Sequence, residues 1–163
     1  MNAPMVLSPE ALARIDRELL KYPPDRKASA IIAALTIAQD EKTWLSKETI
    51  EFVAAYLGMP PIAAWEVASF YGMYNLAPVG RSKITICTNL PCALQGAEDA
   101  AEHLKQKLGI DFNQTTPDRL FTLKEGECFG ACGDAPVCLL NDKKMLHRMT
   151  LEKLDALIEE LSR

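Results

Sequence analysis

The sequence lacks any long hydrophobic run. Its longest nearly apolar stretch, residues 28–38, contains two hydroxyl side chains and is too short to cross a bilayer, which takes about 20 apolar residues. Residues 1–10 contain no Lys or Arg and no apolar core, so neither a secretory nor a transit peptide is predicted. We therefore expect a protein without a membrane span, located in the cytoplasm.

An excess of positive charge is also missing. The sequence has 18 Lys and Arg against 22 Asp and Glu, a formal net charge of −4. This balance leaves no basic surface for the phosphates of a nucleic acid. No nucleic-acid partner is predicted.

Nucleotide-binding motifs are absent as well. The sequence contains neither a Gly-x-Gly-x-x-Gly fingerprint nor a Gly-x-x-x-x-Gly-Lys-Ser/Thr loop, the two patterns whose backbone N–H groups cradle phosphates. We therefore do not expect this chain to bind a dinucleotide or a nucleoside triphosphate by itself.

The first half has the pattern of helices. Ser8 and Ser46 fit N-caps ahead of apolar residues at helical spacing, a further helix is predicted over about 28–40, and a fourth begins near Pro61. The stripes of these helices predict core or helix-packing surface rather than cofactor sites. The stripe of the fourth helix consists of Ile62, Trp65, Ala68 and Tyr71.

The pattern changes near Pro78. Residues 83–87 alternate between polar and apolar side chains like a strand, residues 95–108 fit a helix, and residues 120–124 fit a second strand. A strand, a helix and a strand in this order predict a parallel, right-handed unit. A hairpin over 137–146 and a helix capped by Thr150 follow.

These elements predict an α+β protein in two parts. Residues 1–78 form an N-terminal helical region. Residues 79–163 form a thioredoxin-like, four-stranded sheet covered by helices.

Four of the five cysteines form two close pairs. The spacing is Cys87-x4-Cys92, then 35 residues, then Cys128-x3-Cys132. Close cysteine pairs in a reducing compartment bind metal or do redox chemistry more often than they form disulfides. Because Cys87 ends the first predicted strand and Cys128 follows the second, parallel pairing brings both to one edge of the sheet.

Four thiolates suit either a [2Fe-2S] cluster or a structural zinc ion, and their spacing alone does not decide between the two. Neither pair has the Cys-x-x-Cys spacing of a thioredoxin-type redox motif. The fifth cysteine, Cys138, lies in an apolar predicted strand, and we expect it to be a buried non-ligand.

The residues around the pairs favour the cluster. Thr88 and Asn89 are candidate side-chain donors to its sulfurs. Glycines near the ligands let backbone N–H groups approach sulfur, although each also fits an ordinary turn. These glycines are Gly96, Gly126, Gly130 and Gly133.

With the cysteines placed, the sequence resembles the thioredoxin-like 2Fe-2S component, known as the E subunit, of bacterial NADH:quinone oxidoreductase, respiratory complex I. Three segments carry the resemblance: Cys87-Thr-Asn-Leu-Pro-Cys92-Ala-Leu-Gln-Gly96, Glu127-Cys128-Phe-Gly130-Ala131-Cys132-Gly-Asp-Ala135-Pro136 and Val67-Ala-Ser-Phe70-Tyr71. Phe129 stands where many relatives carry Leu or Met.

The resemblance implies a non-autonomous oxidoreductase subunit that transfers electrons in a respiratory chain. One [2Fe-2S] cluster would be held by four cysteines that match the family one for one: Cys87, Cys92, Cys128 and Cys132. FMN and NAD would be bound only by a partner flavoprotein, and further partners would be other peripheral-arm subunits of complex I. The location would be the cytoplasmic side of the inner membrane.

Two alternatives stay open. The same type of 2Fe-2S subunit also serves NAD-dependent formate dehydrogenases and NAD-linked hydrogenases, and no residue here excludes them. A zinc-stabilised adaptor that only holds a partner is the other.

Overall fold

The computed structural model describes residues 6–163, so the expectation for residues 1–10 lies partly outside the described range. The chain divides into two compact units between Pro78 and Val79. Within residues 6–163, no helix combines the length and hydrophobicity of a membrane span.

The N-terminal unit is helical. Residues 6–78 contain four α-helices, α1 (Pro9–Leu19), α2 (Ile31–Lys42), α3 (Lys47–Leu57) and α4 (Pro61–Phe70), with a 3-10 helix (Lys27–Ala30) before α2. The Ser8 hydroxyl accepts the N–H of Ala11, and the Ser46 hydroxyl accepts the N–H of Thr49. Both predicted N-caps are therefore confirmed, and each satisfies a backbone donor that the first helical turn leaves free.

The predicted packing stripe of α4 is wrong for three of its four residues. Ala68 is buried, but Ile62 is 64% exposed, Trp65 37% and Tyr71 39%. The helix packs through its small side chains, Ala64 and Ala68, which let it approach its neighbours closely. Because α4 is apolar on most of its circumference, periodicity does not reveal which face is turned inward.

The C-terminal unit is built around a mixed sheet, and the predicted α+β class is confirmed. Its strands are β1 (Ser82–Cys87), β2 (Gln114–Thr115), β3 (Phe121–Gly126), β4 (Cys138–Leu140) and β5 (Lys144–Leu146), in the spatial order β2-β3-β1-β4-β5. The helices are α5 (Leu90–Ala93), α6 (Ala97–Leu108) and α7 (Leu151–Leu161), with a 3-10 turn at Cys132–Asp134.

The sheet has five strands rather than the predicted four. The additional strand, β2, consists of two residues that pair antiparallel with β3, and two residues are too few to show an alternating pattern. The predicted parallel pairing of β1 with β3 and the predicted β4–β5 hairpin are both confirmed.

The centre of this unit is apolar and closely packed. Ile84 and Ile86 of β1 are fully buried, with Leu123 of β3, Leu104 of α6 and Leu154 of α7. This core holds β1 and β3, the two strands that precede the cysteine loops, in place.

Candidate functional site

The two cysteine loops leave the sheet side by side. In the parallel β1–β3 pair, Cys87 lies opposite Gly126, and both strands end there. The N–H of Thr88 donates to the Gly126 carbonyl at 3.3 Å, which continues the pairing by one step. The first loop begins at Cys87, the last residue of β1, and the second begins at Glu127, so the sheet itself brings the two loops together.

The first loop holds its two cysteines in the interior. Asn89 caps the single turn α5, with the N–H of Cys92 donating to the Asn89 carbonyl at 2.8 Å. Cys87 and Cys92 are each only 1% exposed. Burial raises the pKa of the Cys87 thiol, the neighbouring Cys92 raises it further, and hydrogen bonds from the backbone of Asn89 and Phe129 act in the opposite direction.

The second loop holds its two cysteines at the surface. The Cys128 and Cys132 sulfurs are 3.5 Å apart, and the N–H of Gly130 donates to the Cys128 sulfur at 3.4 Å. Gly130 has φ of 76°, a left-handed conformation that glycine adopts without strain. The pKa of Cys132 is raised by its hydrogen bond with Cys128, by burial and by the charge of Cys128.

The two pairs interact with each other. The backbone of Phe129, in the second loop, acts to lower the pKa of Cys87 in the first, and the charge of Cys87 raises the pKa of Cys132. Across residues 6–163, however, no three His, Cys, Asp or Glu side chains surround a single point closely enough to hold one metal ion. The structure thus presents two neighbouring pairs rather than one four-thiol group.

The geometry of a pair fits a tetrahedral metal. Two thiolate sulfurs at about 2.3 Å from one tetrahedral ion are roughly 3.8 Å apart, and the Cys128–Cys132 separation of 3.5 Å is close to this value. The backbone N–H of Gly130, which donates to the Cys128 sulfur, is a donor of the kind that stabilises charged sulfur. The Cys128–Cys132 pair therefore fits two ligands of one tetrahedral iron or zinc ion.

The side chains of Thr88 and Asn89 do not point where the sequence suggested. The Thr88 hydroxyl donates to the Glu125 carboxylate at 2.7 Å, and the Asn89 amide donates to the Glu127 carboxylate at 2.5 Å. A threonine hydroxyl has one hydrogen, so it is not available to a sulfur in this arrangement. Neither glutamate was predicted as a site residue, because the only signal for them is their position on either side of Gly126.

Phe129 is the other feature that the sequence did not reveal. Its ring lies against Gly126, so that a Cβ added at Gly126 would meet the ring edge of Phe129 and would come within 2.8 Å of the Thr85 Cγ2 atom. A glycine is thus required at position 126 for close packing, in addition to any role that it has in a turn.

We expect Gly126→Ala to destabilise the C-terminal unit by about 1–3 kcal/mol, the usual cost of overpacking, and to displace Phe129, which directly follows Cys128. Thermal unfolding measures the first effect and the amount of bound iron the second. Gly72→Ala, far from the cysteines in sequence, is the control, because none of the described atoms lies within 4 Å of a Cβ built there. Equal melting temperatures and iron contents for the two variants would contradict the prediction.

Cys138 lies in β4, the strand that pairs with β1. It pairs with Ile86 of β1, is fully buried, and its burial raises its pKa to about 12. At neutral pH it is therefore a protonated thiol, whereas metals bind the thiolate. That Cys138 is not a ligand remains a prediction.

The family can now be assigned. Residues 15–162 match the profile of the thioredoxin-like [2Fe-2S] ferredoxin family. The chain belongs to this family.

Curated members of the family are similar over most of the chain. The NADH-quinone oxidoreductase E subunit of Rickettsia bellii is 46% identical over 142 residues, covering 86% of this chain and 84% of its own length. The corresponding E subunit of Rickettsia felis is 47% identical over 143 residues, covering 87% and 85%. The mitochondrial NADH dehydrogenase [ubiquinone] flavoprotein 2 of Dictyostelium discoideum is 39% identical over 86% of this chain, which spans 58% of that protein.

Solved structures support the fold. A chain of NAD+-reducing [NiFe]-hydrogenase in its air-oxidized state superimposes with a TM-score of 0.73 at 24% identity, covering 86% of this chain and 24% of its own. The H2-reduced form gives a TM-score of 0.71 over 82% of this chain and 22% of its own. At this identity the likeness concerns the fold alone.

These comparisons confirm the family resemblance and one prediction that the resemblance implied. The resemblance to the E subunit is confirmed by the Rickettsia relatives. The predicted enzyme class, a subunit of an oxidoreductase, is confirmed too, because the curated members of the family are subunits of oxidoreductases.

Proposed function

We propose that this chain binds one [2Fe-2S] cluster through Cys87, Cys92, Cys128 and Cys132 and transfers electrons as a subunit of NADH-quinone oxidoreductase. One observation supports the proposal above all: two pairs of thiols lie next to each other where the parallel strands β1 and β3 end. In the second pair, the Cys128 and Cys132 sulfurs are 3.5 Å apart. Such a cluster takes up and releases one electron at a time.

The two cysteine pairs differ in exposure, and this difference supports a different role for each pair. Cys87 and Cys92 are buried, whereas Cys128 and Cys132 are exposed. The buried pair shields one side of the cluster from water. The exposed pair leaves the other side near the protein surface, where an electron can be exchanged with a partner protein.

A partner is required by the chemistry. NADH gives up a hydride, whereas the cluster takes single electrons, so a flavin must lie between them. We propose that FMN and NAD are bound by a flavoprotein subunit, that this chain lies against it together with other peripheral-arm subunits, and that the assembly is on the cytoplasmic side of the inner membrane. The names of the Rickettsia relatives support membership in that complex.

Purification from the native host tests the proposal. The protein should be red-brown, should contain iron and acid-labile sulfide in equal amounts, and should lose its visible absorption on reduction with dithionite. A colourless protein that contains zinc would contradict the cluster. Co-purification with a formate dehydrogenase or a hydrogenase would contradict the assignment to NADH-quinone oxidoreductase while leaving the cluster intact.

The two compact units lead to a prediction about truncation. All five cysteines lie after residue 78, and the C-terminal unit has its own buried core. We expect a chain of residues 79–163 to retain the cluster spectrum but to bind the flavoprotein subunit at least tenfold more weakly, a loss of about 1.4 kcal/mol. The reason is that the removed part carries exposed apolar side chains suited to an interface, among them Ile62 and Phe70.

Binding of both forms to immobilised flavoprotein measures the difference. The full-length variant Lys27→Gln, which changes an exposed polar side chain of the helical unit, serves as the control and should bind like the unmodified protein. Equal affinities of the full-length and truncated chains would show that the helical unit does not contribute.

A further inference from the structure

Two side-chain hydrogen bonds join the first cysteine loop to the end of β3 and to the start of the second cysteine loop. Thr88 Oγ1 donates to Glu125 Oε1 at 2.7 Å, and Asn89 Nδ2 donates to Glu127 Oε2 at 2.5 Å. Thr88 and Asn89 directly follow Cys87, and Glu127 directly precedes Cys128. The Asn89–Glu127 bond therefore joins the two loops close to Cys87 and Cys128, and the Thr88–Glu125 bond joins the first loop to β3.

The register of the sheet explains how the four side chains meet. Cys87 lies opposite Gly126, and side chains two apart on a strand point to the same side. Glu125 and Glu127, on either side of Gly126, therefore reach toward the first loop together. Beyond the Thr88–Gly126 hydrogen bond the backbone pairing ends, and these side chains continue the connection between the loops.

The second loop has reason to need such a connection. Cys128 and Gly130 are exposed, and the segment between β3 and the 3-10 turn at Cys132–Asp134 has no regular structure. An exposed irregular segment samples many conformations unless side chains hold it. The Phe129 ring of this loop packs against Gly126 at the end of β3, and this contact requires that the loop stay close to the sheet.

We propose that Thr88, Asn89, Glu125 and Glu127 form a polar latch that positions the Cys128 loop against the Cys87 loop and so slows loss of the cluster. The proposal rests on the proposed function. The four are positioning residues, because none of them is one of the proposed ligands. The Glu127 carboxylate has a second effect: a negative charge beside Cys128 disfavours adding an electron to an already negative cluster, and it lowers the reduction potential.

The rate of cluster loss tests the latch. In the cluster-loaded full-length protein, Asn89→Asp places two carboxylates opposite each other, and we expect iron to pass to a coloured chelator at least tenfold faster. Adding Glu127→Gln to that variant should restore the slow rate, because the introduced amide can donate to the introduced carboxylate with the same chain lengths. Glu159→Gln, an exposed position on α7, is the matched control and should behave as the unmodified protein.

Two further variants keep the test decisive if Asn89→Asp does not fold. Thr88→Val removes the hydroxyl but keeps the shape, and iron loss should be several-fold faster. Glu127→Gln alone keeps an acceptor oxygen and removes the charge, so the potential measured by an EPR-monitored titration should rise, changing the reduced-to-oxidised ratio by up to tenfold, or about 59 mV.

The outcomes separate the latch from the cluster itself. Iron loss at the unmodified rate in Asn89→Asp and Thr88→Val, or no recovery in the double variant, would overturn the latch. An unmodified protein without a cluster would overturn the proposed function instead.

Discussion

Replacing Cys128 by alanine is expected to abolish the visible absorption of the purified protein, and the same holds for Cys87, Cys92 and Cys132. Each substitution leaves an iron with a single thiolate and a position open to water, and the cluster is then lost or severely destabilised. Visible spectroscopy and iron analysis after anaerobic purification measure the effect. The expected residual iron is below about a tenth of the unmodified amount, corresponding to a loss of more than about 1.4 kcal/mol in binding free energy.

Cys138→Ala is the matched control for this series. Its thiol is as deeply buried as those of Cys87 and Cys92 and lies near enough for their charges to contribute to its raised pKa. The substitution removes a small apolar side chain from the β4 interior, so a modest loss of stability is expected, with the spectrum unchanged. A bleached Cys138→Ala protein beside a coloured Cys128→Ala protein would overturn the ligand assignment.

The helices of the N-terminal unit could be predicted from local signals. Ser8 and Ser46 accept hydrogen bonds from the backbone N–H groups of the first turn, and this capping depends only on a few neighbouring residues. The exposure of Ile62 and Trp65 could not be predicted in the same way. The inward face of α4 is decided by how closely its alanines let it approach the other helices, and no local pattern contains that information.

In the candidate site, too, local sequence patterns predict where the elements lie but not which hydrogen bonds form between them. The positions of the cysteines at the ends of β1 and β3 followed from the alternation of two strands and from parallel pairing. The partners of Thr88 and Asn89 did not, because the bond to Glu125 or Glu127 depends on the exact register between segments 37 and 38 residues apart. The sequence shows that a polar side chain beside a ligand can donate a hydrogen bond, but only the fold determines which acceptor it finds.

The isolated, cluster-loaded protein is expected to show no EPR signal of a reduced cluster after addition of NADH, although dithionite should produce one. The sequence contains no dinucleotide-binding fingerprint, and a centre that takes one electron does not accept a hydride. With the FMN-containing partner subunit added, NADH should reduce the cluster. The extent depends on the reduction potential, because a tenfold change in the reduced-to-oxidised ratio corresponds to about 59 mV for one electron.

The partner subunit alone, and the partner subunit with Cys128→Ala, are the controls for this experiment. Neither should give the cluster signal with NADH, since the first sample lacks this chain and the second lacks a ligand. A cluster potential far below that of NADH would leave only a small reduced fraction, and the dithionite sample gives the full signal against which this fraction is measured. A cluster signal from NADH and the isolated protein would mean that this chain binds the dinucleotide itself, and the proposed division between hydride acceptor and electron carrier would then be wrong.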